Sequence, residues 1–276
     1  MVAVMTDAAA RAEAFRALHR PGEPLLIPNP WDVGSARLLV HLGFQALATT
    51  SSGFAATLGR LDGDTSRDEA LSSAAAIAAA VPVPVSADLE NGFADEPEGV
   101  ADTVARACQV GLAGLSIEDT NRHRDEPIYE LELAVARVEA AVEAIRAAAE
   151  PVLLTARADG FLHGRADLAD AITRLQAYQE AGADVLYAPG IRDIESIRTL
   201  VSEVDRPVNG LIGPGSPTVA EMAEAGIARI SVGGGFAYAA LGGLVDAATE
   251  LSEQGTAGYW AQADKGRQAV RQAFGS

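Results

Sequence analysis

Short apolar runs alternate with helical patterns along almost the whole sequence. Eight of these runs lack polar alternation, which is typical of parallel strands buried on both faces. We predict strands at residues 25–28, 46–49, 83–87, 114–117, 152–156, 185–188, 208–211 and 229–232. The segments between them are amphipathic or rich in alanine and predict helices at 33–43, 67–80, 98–110, 131–148, 167–181, 193–204, 217–225 and 236–253.

Glycine marks several of the predicted helix ends. Gly43, Gly111, Gly182 and Gly226 each lie between a helix and a strand, where a left-handed residue commonly ends the helix. Eight strand–helix units with short connections favour an α/β fold of the closed (β/α)8, or TIM-barrel, type. An open doubly wound sheet is the alternative, but no glycine-rich dinucleotide-binding sequence follows the first strand.

The length of 276 residues is near that of one such barrel. We therefore expect a single barrel domain over residues 1–276, with the barrel at about 24–254 and a C-terminal helix at about 258–275. That helix carries Tyr259, Trp260 and Phe274, which either pack on its own barrel or contact another subunit.

Composition narrows the range of partners. The formal net charge is −17, and an acidic surface of this size repels phosphate backbones, so we expect no nucleic-acid partner. Cys108 is the single cysteine, which excludes a disulfide within the chain. No uncharged apolar stretch approaches the ~18 residues that cross a bilayer, so we expect no membrane partner. These features predict a soluble, cytoplasmic protein.

Acidic side chains gather where the third and fourth predicted strands end, which is where active sites of such barrels lie. Asp88, Glu90, Glu118 and Asp119 are expected to converge on one mouth. Carboxylates so close together repel one another, so one must hold a proton or a cation must lie among them. Oxygen ligands without histidine or cysteine favour Mg²⁺, or Mn²⁺, over zinc. The alternative is that these carboxylates cap the helices that follow.

Basic and small residues follow other strands. Arg157 comes directly after the apolar run PVLLTA, so it should point into the barrel mouth. Its planar guanidinium suits either Glu118 on the neighbouring strand or a substrate carboxylate. Residues 51–53, Ser-Ser-Gly, present backbone amides of a kind that binds anions. His123 and His163 lie in loops after the fourth and fifth strands and either reach the site or remain solvated.

Several segments resemble, in order, the isocitrate lyase/phosphoenolpyruvate mutase superfamily over roughly residues 24–240. They are PNPWDVGSARLL, SSGFAATLGRLDGD, SADLENGF, LSIEDT, TARADGF, AYQEAGADVLYAPG and PVNGL. The resemblance implies a Mg²⁺-dependent barrel that acts on 2-oxo acids or their enol forms.

The resemblance also implies roles for individual residues. The amides of the Ser-Gly-Phe segment would hold the substrate carboxylate, and the predicted substrate-binding residues are Ser52, Gly53, Phe54, Arg157 and Asn209. The residues that would bind the metal, several of them through water, are Asp62, Asp88 and Glu118.

Two departures from the superfamily pattern affect these roles. Ser86 replaces the first aspartate of a D-A-D triplet, and Glu90 is the candidate replacement as a metal ligand. The loop at 120–127 lacks the cysteine of the lyase motif K-K-C-G-H, so His123 becomes the candidate for proton transfer. The predicted catalytic residues are Arg157, Glu118 and His123. We expect this charged loop to act as a lid, and bound water supplies the proton if His123 is only a solvated residue.

These inferences predict a Mg²⁺-dependent lyase that cleaves a C–C bond of a small 2-oxo or 2-hydroxy di- or tricarboxylic acid. The bond would break through a metal-stabilised enolate, as in isocitrate or methylisocitrate lyase or in oxaloacetate decarboxylase. The alternatives are a P–C bond enzyme of the phosphoenolpyruvate mutase or phosphonopyruvate hydrolase type, and a weakly catalytic 2-oxo acid binding protein. The resemblance further implies a homo-oligomer, either a dimer or a tetramer with exchanged C-terminal helices.

Overall fold

Eight parallel strands form the centre of the computed structural model, which describes residues 8–121 and 126–275. They are β1 (Leu25–Ile27), β2 (Leu47–Ala48), β3 (Val85–Asp88), β4 (Gly114–Glu118), β5 (Leu153–Arg157), β6 (Val185–Tyr187), β7 (Val208–Leu211) and β8 (Arg229–Ser231). Each strand from β2 to β7 pairs with the strand that follows it in the chain, and β8 pairs with β1. Between β1 and β2, the Ala48 N–H donates to the Pro28 carbonyl at 3.1 Å. The predicted (β/α)8 barrel is confirmed.

Helices surround the barrel at the predicted places. They are α1 (Ala8–Ala17), α2 (Val33–His41), α3 (Ser51–Thr57), α4 (Arg67–Ala80), α5 (Pro97–Ala107), α6 (Leu131–Ala147), α7 (Leu168–Ala181), α8 (Ile194–Ser202), α9 (Val219–Glu224), α10 (Gly235–Gln254) and α11 (Trp260–Phe274). The predicted helices correspond to α2 and to α4 through α11. The four glycines expected at helix ends, Gly43, Gly111, Gly182 and Gly226, all have positive φ.

Two helices, α1 and α3, lie outside the sequence-based prediction. The Ser-Ser-Gly start of α3 reads as a turn, because serine and glycine are common in turns. In the structure Thr50 precedes it in an extended conformation and caps it, since its Oγ1 accepts the Gly53 N–H at 3.3 Å. Thr50 therefore supplies the cap at which α3 begins.

Polar side chains line the inside of the barrel, on the strand face that points toward its axis. Those that are buried include Ser86, Ser116, Thr155, Asn209, Arg229 and Ser231. Residues on the opposite strand face, such as Leu115, Leu154 and Leu186, pack in the apolar core against the helices. The main hydrophobic core thus lies between strands and helices, and the barrel axis is left for polar groups.

α1 closes the barrel at the amino-terminal ends of the strands. The Phe15 side chain packs there in one apolar cluster with Leu25, Ala113 and Leu153. His19 follows α1, is buried, and its Nδ1–H donates to the Phe15 carbonyl at 2.8 Å. Burial and the nearby charge of Arg229 lower the pKa of His19 to about 4. The imidazole is therefore neutral at neutral pH.

α10 directs apolar side chains away from the barrel. Of its 20 residues only Ala237 is buried. The large apolar side chains that it exposes are Phe236, Tyr238, Leu241, Leu244, Val245 and Leu251. α11 returns to the barrel and packs against α2, where the Arg37 guanidinium lies 5.5 Å from the centre of the Phe274 ring. Despite these apolar residues, no helix within the described ranges is long and apolar enough to cross a membrane.

We expect the free energy of unfolding to decrease as the pH falls from about 6.5 to about 4 because of His19. In this range the unfolded chain binds a proton on His19 that the folded protein excludes. The stabilisation is complete above the ordinary pKa of 6.5 and is lost as the pH falls toward the folded value of about 4. The loss amounts to at most about 3 kcal/mol.

His19→Asn keeps a donor for the Phe15 carbonyl but does not titrate. Urea unfolding followed by circular dichroism at about pH 7, 5.5 and 4.5 should show a flatter profile for this variant than for the parent. Carboxylates titrate equally in both proteins, so only the difference reports on His19. Two profiles of equal slope would contradict the prediction.

Candidate active site

A cavity of about 480 Å³ opens at the carboxyl ends of the strands, where barrel enzymes place their active sites. The predicted site residues that line it are Ser52, Asp62, Asp88, Glu90, Glu118 and Arg157. The structure therefore brings together residues that are more than a hundred positions apart in the sequence.

The Arg157 guanidinium lies among three carboxylates. It is 3.2 Å from Asp88 Oδ1, 3.0 Å from Glu118 Oε2 and 2.5 Å from Asp159 Oδ2. Strand register explains the arrangement, because Glu118 of β4 is paired with Arg157 of β5, and Asp159 follows two residues later. Burial alone would lower the pKa of Arg157, but the carboxylate charges raise that pKa well above its ordinary value.

Negative charge exceeds positive charge around this arginine. Burial raises the pKa of Glu118, and the charges of Asp159 and Asp88 raise it further, although Arg157 opposes them. The Thr120 hydroxyl also donates to Glu118 Oε1. Because one guanidinium is shared by three carboxylates, it does not balance them. The cavity is short of positive charge.

Asp88 is fixed from two sides. Its Oδ2 accepts the Ser51 N–H at 3.1 Å, and its own N–H donates to Thr49 Oγ1 at 2.9 Å. Asp62, on the loop before α4, lines the same cavity. Burial and the charge of Asp88 raise the pKa of Asp62. The excess of negative charge around Glu118 therefore extends to these two aspartates.

Glu90 reaches the cavity through an uncommon backbone conformation. Its φ is 49°, in the left-handed region that residues other than glycine seldom adopt. Its Oε1 accepts the Thr65 hydroxyl at 3.1 Å. The turn after β3 therefore places this carboxylate in the cavity wall with Asp62 and Asp88.

The oxygen donors fit a hard divalent cation that is bound largely through water. Within the described ranges, no three acidic, histidine or cysteine side chains lie close enough together to chelate an ion directly. Mg²⁺ needs no such group, since it usually keeps several waters and uses one or two carboxylates with oxygens of the substrate. Asp88, Glu118 and Asp62 offer those carboxylates in one cavity whose negative charge a cation would balance.

α3 places Ser52, but not Gly53 or Phe54, in the cavity wall. The Phe54 N–H donates to the Thr50 carbonyl at 3.0 Å, and the Gly53 N–H donates to the Thr50 hydroxyl. Glycine is favoured at position 53 because an added Cβ would lie 2.7 Å from Thr50 Cγ2 and 3.0 Å from the Ala237 Cβ. This differs from the expected cradle of three amides, since two of them serve the helix.

Asn209 lies behind the cavity wall, which differs from its expected contact with substrate. Its Oδ1 accepts the Arg229 Nε–H at 2.8 Å, and its Nδ2 donates to Ser231 Oγ at 3.0 Å. Arg229 and Ser231 line the cavity in its place. Asn209 therefore positions two side chains that are exposed to the cavity.

Asp119 points away from the cavity, so the expected convergence of all four carboxylates is wrong at this residue. Its carboxylate accepts the Tyr178 hydroxyl at 2.8 Å, the Asp159 N–H at 2.8 Å and Arg174 Nη1 at 3.2 Å. Side chains alternate along a strand, so Glu118 faces inward and Asp119 faces α7. Asp119 ties the end of β4 to the end of β5 and to α7.

The cavity residues outside the set predicted from the sequence include Asp159, Tyr187 and Arg229. Asp159 stands two residues beyond Arg157, so strand alternation is a signal that identifies it. The Tyr187 ring lies 5.4 Å from the Arg157 guanidinium carbon. Tyr187 and Arg229 sit within short strand segments, where sequence alone gives no sign of which face they occupy.

The two loop histidines differ in what the structure shows. His163 belongs to the 3₁₀ turn Gly160–His163 and lines the cavity. His123 lies outside the described residues, so its part in proton transfer stays a prediction, as does the lid role of the 120–127 loop. The ends of this loop are held together, since the Asn121 N–H donates to the Pro127 carbonyl at 2.7 Å.

Known proteins resemble this chain in sequence and structure. The profile of the phosphoenolpyruvate phosphomutase family matches residues 15–252. The 2-methylisocitrate lyase of Escherichia coli K12 is 32% identical, over 71% of this chain and 68% of that enzyme. The oxaloacetate decarboxylase of Chromohalobacter salexigens is 29% identical, over 93% of each chain. The crystal structure of a candidate lyase/mutase from Burkholderia cenocepacia J2315 has a TM-score of 0.93 and 49% identity, over 98% of each chain.

We expect Arg157→Met to lower the free energy of unfolding by about 3–5 kcal/mol, the usual effect of removing one partner from a buried ion pair. The carboxylates around it would then face one another without a cation. Arg198→Met is the matched control, because Arg198 pairs with Glu195 on the exposed surface, where such pairs contribute less than about 1 kcal/mol. Urea unfolding at neutral pH compares the two variants, and equal losses would contradict the prediction.

Proposed function

Because the chain belongs to the isocitrate lyase/phosphoenolpyruvate mutase superfamily of lyases and mutases, we propose that it is a C–C lyase. Its substrate would be a small 2-oxo or 2-hydroxy di- or tricarboxylic acid. The observation that carries the proposal is the group of carboxylates around Arg157 at the ends of β3, β4 and β5. It leaves an excess of negative charge beside a cavity of small-molecule size, which suits a divalent cation and a chelating 2-oxo acid.

Asp88 and Glu118 would hold Mg²⁺ or Mn²⁺, with Asp62 and Glu90 nearby in the cavity wall. The ion would supply Lewis-acid stabilisation of the negative charge that develops on the substrate carbonyl oxygen. Arg157 fixes both ligating carboxylates in place and keeps positive charge near the substrate. Ser52, which also lines the cavity, offers a hydroxyl for the substrate carboxylate.

When the C–C bond breaks, one fragment departs as CO2 or as a carbonyl compound, and the bonding electron pair stays on the carbon next to the remaining carbonyl or carboxylate as an enolate, which must receive a proton. A 2-hydroxy acid must also give up its hydroxyl proton, as the carbon that bears the hydroxyl becomes the carbonyl of the departing fragment. Histidine is the side chain whose charge changes most readily near neutrality. His123 is our first candidate as donor, His163 in the cavity wall is the second, and bound water is the alternative.

The charges around the cavity favour C–C over P–C cleavage. Phosphonopyruvate carries up to three negative charges, one more than a 2-oxo dicarboxylate such as oxaloacetate, so it needs more positive charge nearby. The arginines that line the cavity in the described ranges are Arg157 and Arg229, and Arg157 is already shared by three carboxylates.

Ser86 favours a second candidate function, the binding of a 2-oxo acid with little turnover. It is buried in the cavity wall at the place of an acidic residue in the superfamily pattern. Loss of one anionic ligand weakens the attraction for a divalent cation. Binding of 2-oxo acids without product formation would support this candidate over the lyase.

We expect the purified protein to convert oxaloacetate, isocitrate or 2-methylisocitrate in the presence of Mg²⁺, and a chelator to abolish the reaction. Proton nuclear magnetic resonance identifies the products. Asp88→Asn should lower turnover by roughly a hundredfold or more, because it removes a charge that stabilises the transition state through the cation. Asp264→Asn, at an exposed ion pair, is the matched control and should keep the parent rate. Turnover of phosphonopyruvate alone would contradict the C–C assignment.

We also propose that the protein is a homo-oligomer, a dimer or a tetramer, in which a second copy covers α10. The helix is about 30 Å long and exposes a continuous set of apolar side chains. Leu244→Asp combined with Val245→Asp should shift the sedimentation coefficient toward that of a monomer. Leu61→Asp changes an exposed leucine outside α10 and should leave the sedimentation coefficient unchanged. A parent protein that sediments as a monomer at micromolar concentration would contradict the proposal.

A further inference from the structure

Arg229 is buried inside the barrel, with 3% of its surface exposed, yet it lines the cavity. Its hydrogen-bond partners are neutral: Nε donates to Asn209 Oδ1 at 2.8 Å and Nη1 donates to Thr155 Oγ1 at 3.1 Å. In the part of the chain that the structure describes, no carboxylate forms an ion pair with it. The protein therefore presents a buried cation to the cavity without supplying its counter-charge.

The other buried arginines are compensated by the protein. Arg157 has its three carboxylates, and Arg174 pairs with two aspartates. Arg137 donates to three backbone carbonyls and lies over the Tyr129 ring. Neither Arg137 nor Arg174 lines the cavity. Arg229 alone among these four combines burial, missing counter-charge and access to the cavity.

The pKa of Arg229 also reflects its missing counter-charge. Burial lowers the pKa of Arg229 to about 10, and the charge of Arg157 contributes in the same direction while Tyr187 opposes it. The side chain is still charged at neutral pH. The same charge helps to lower the pKa of His19, which lies toward the closed end of the barrel. A buried charge without a partner destabilises a fold by several kcal/mol, so an anion that enters the cavity would relieve the cost.

Strand register sets the depth of Arg229. Arg157, Tyr187, Asn209 and Arg229 are successive partners across β5 to β8. Strands of such barrels tilt by about 36° and lie about 4.8 Å apart, so each step along this row descends by roughly 3 Å. Arg229, which pairs with the first residue of β1, therefore starts roughly 8 Å deeper than Arg157.

Hydroxyl groups lie between Arg229 and the mouth of the cavity. Ser231 Oγ and the Tyr187 hydroxyl are 3.5 Å apart and both residues line the cavity. The inner end of the cavity thus offers a guanidinium and two hydroxyls, whereas the outer end offers carboxylates. A ligand carboxylate that does not bind the cation at the mouth is repelled by the outer end and attracted to the inner end.

We propose that Arg229, with Tyr187 and Ser231, binds the second carboxylate of the substrate, the one remote from the bond that breaks. Arg229 is then a specificity-determining residue that selects dicarboxylic over monocarboxylic 2-oxo acids. The inference rests on the proposed function in one respect, because it takes the reacting end of the substrate to lie at Asp88 and Glu118.

Calorimetry with Mg²⁺ present tests the inference on three probes: pyruvate, oxaloacetate and 2-oxoglutarate. The parent should bind the tighter of the two dicarboxylates better than pyruvate. Arg229→Met should raise the dissociation constant of that dicarboxylate by roughly ten- to a hundredfold, the scale of a charged hydrogen bond. The dissociation constant of pyruvate should stay within about threefold of the parent value. Arg229→Lys should recover part of the loss because it restores the charge. Arg198→Met, on the exposed surface, should match the parent for all three probes.

Several results would overturn the inference. A parent that binds neither dicarboxylate, or that binds them no better than pyruvate, contradicts the inference. So does an Arg229→Met variant whose affinity falls equally for all three probes or for none of them. If Arg229→Met does not fold, the same comparison is made with Arg229→Lys. Its compact ammonium lacks the planar fork of a guanidinium, so binding of the dicarboxylate should weaken more than binding of pyruvate. Turnover is measured separately, so binding preference without any product would contradict the proposed lyase while leaving the carboxylate site in place.

Discussion

The ion pairs of Arg157 organise the functional end of this barrel. Strands β3 and β4 each deliver a carboxylate to the mouth, and the chain after β5 delivers another in Asp159. Such groups cannot remain ionised together in a poorly hydrated space unless a cation lies among them. Arg157, at the end of β5, is that cation. Its planar guanidinium contacts all three at once, which a lysine ammonium with its compact charge would not do equally well.

The distribution of charge along the barrel axis follows from this arrangement. The mouth holds more carboxylate than guanidinium, and the inner end holds Arg229 beside neutral partners. The two ends are therefore opposite in sign although they belong to one cavity. A small molecule with a chelating head and an anionic tail has a preferred direction in this field before any close contact forms. The side chains that determine the charge at the two ends of the cavity therefore also determine the orientation of a bound ligand.

Local signals predicted the fold well, and non-local contacts account for what they missed. Strand and helix periods, with glycine at the helix ends, depend on neighbours in sequence, so the eight strands and most helices were found. The pairing of Glu118 with Arg157 was predictable because their strands are adjacent. The sequence did not predict that the Gly53 N–H is already used in a hydrogen bond, because this depends on the Thr50 cap and on packing against α10. The position of Arg229 likewise depends on register across the barrel.

The start of α10 connects the outer surface of the molecule to the cavity. An added Cβ at Gly234 would lie 2.6 Å from Ser52 Oγ, and one at Gly53 would lie 3.0 Å from the Ala237 Cβ. The inner end of this helix is thus packed without spare room, while its remaining length presents apolar side chains outward. A shift or rotation of α10 that rearranged its outer face would therefore also move the cavity wall at Ser52, so a change made on the surface of this helix reaches the interior of the cavity as a change of its shape.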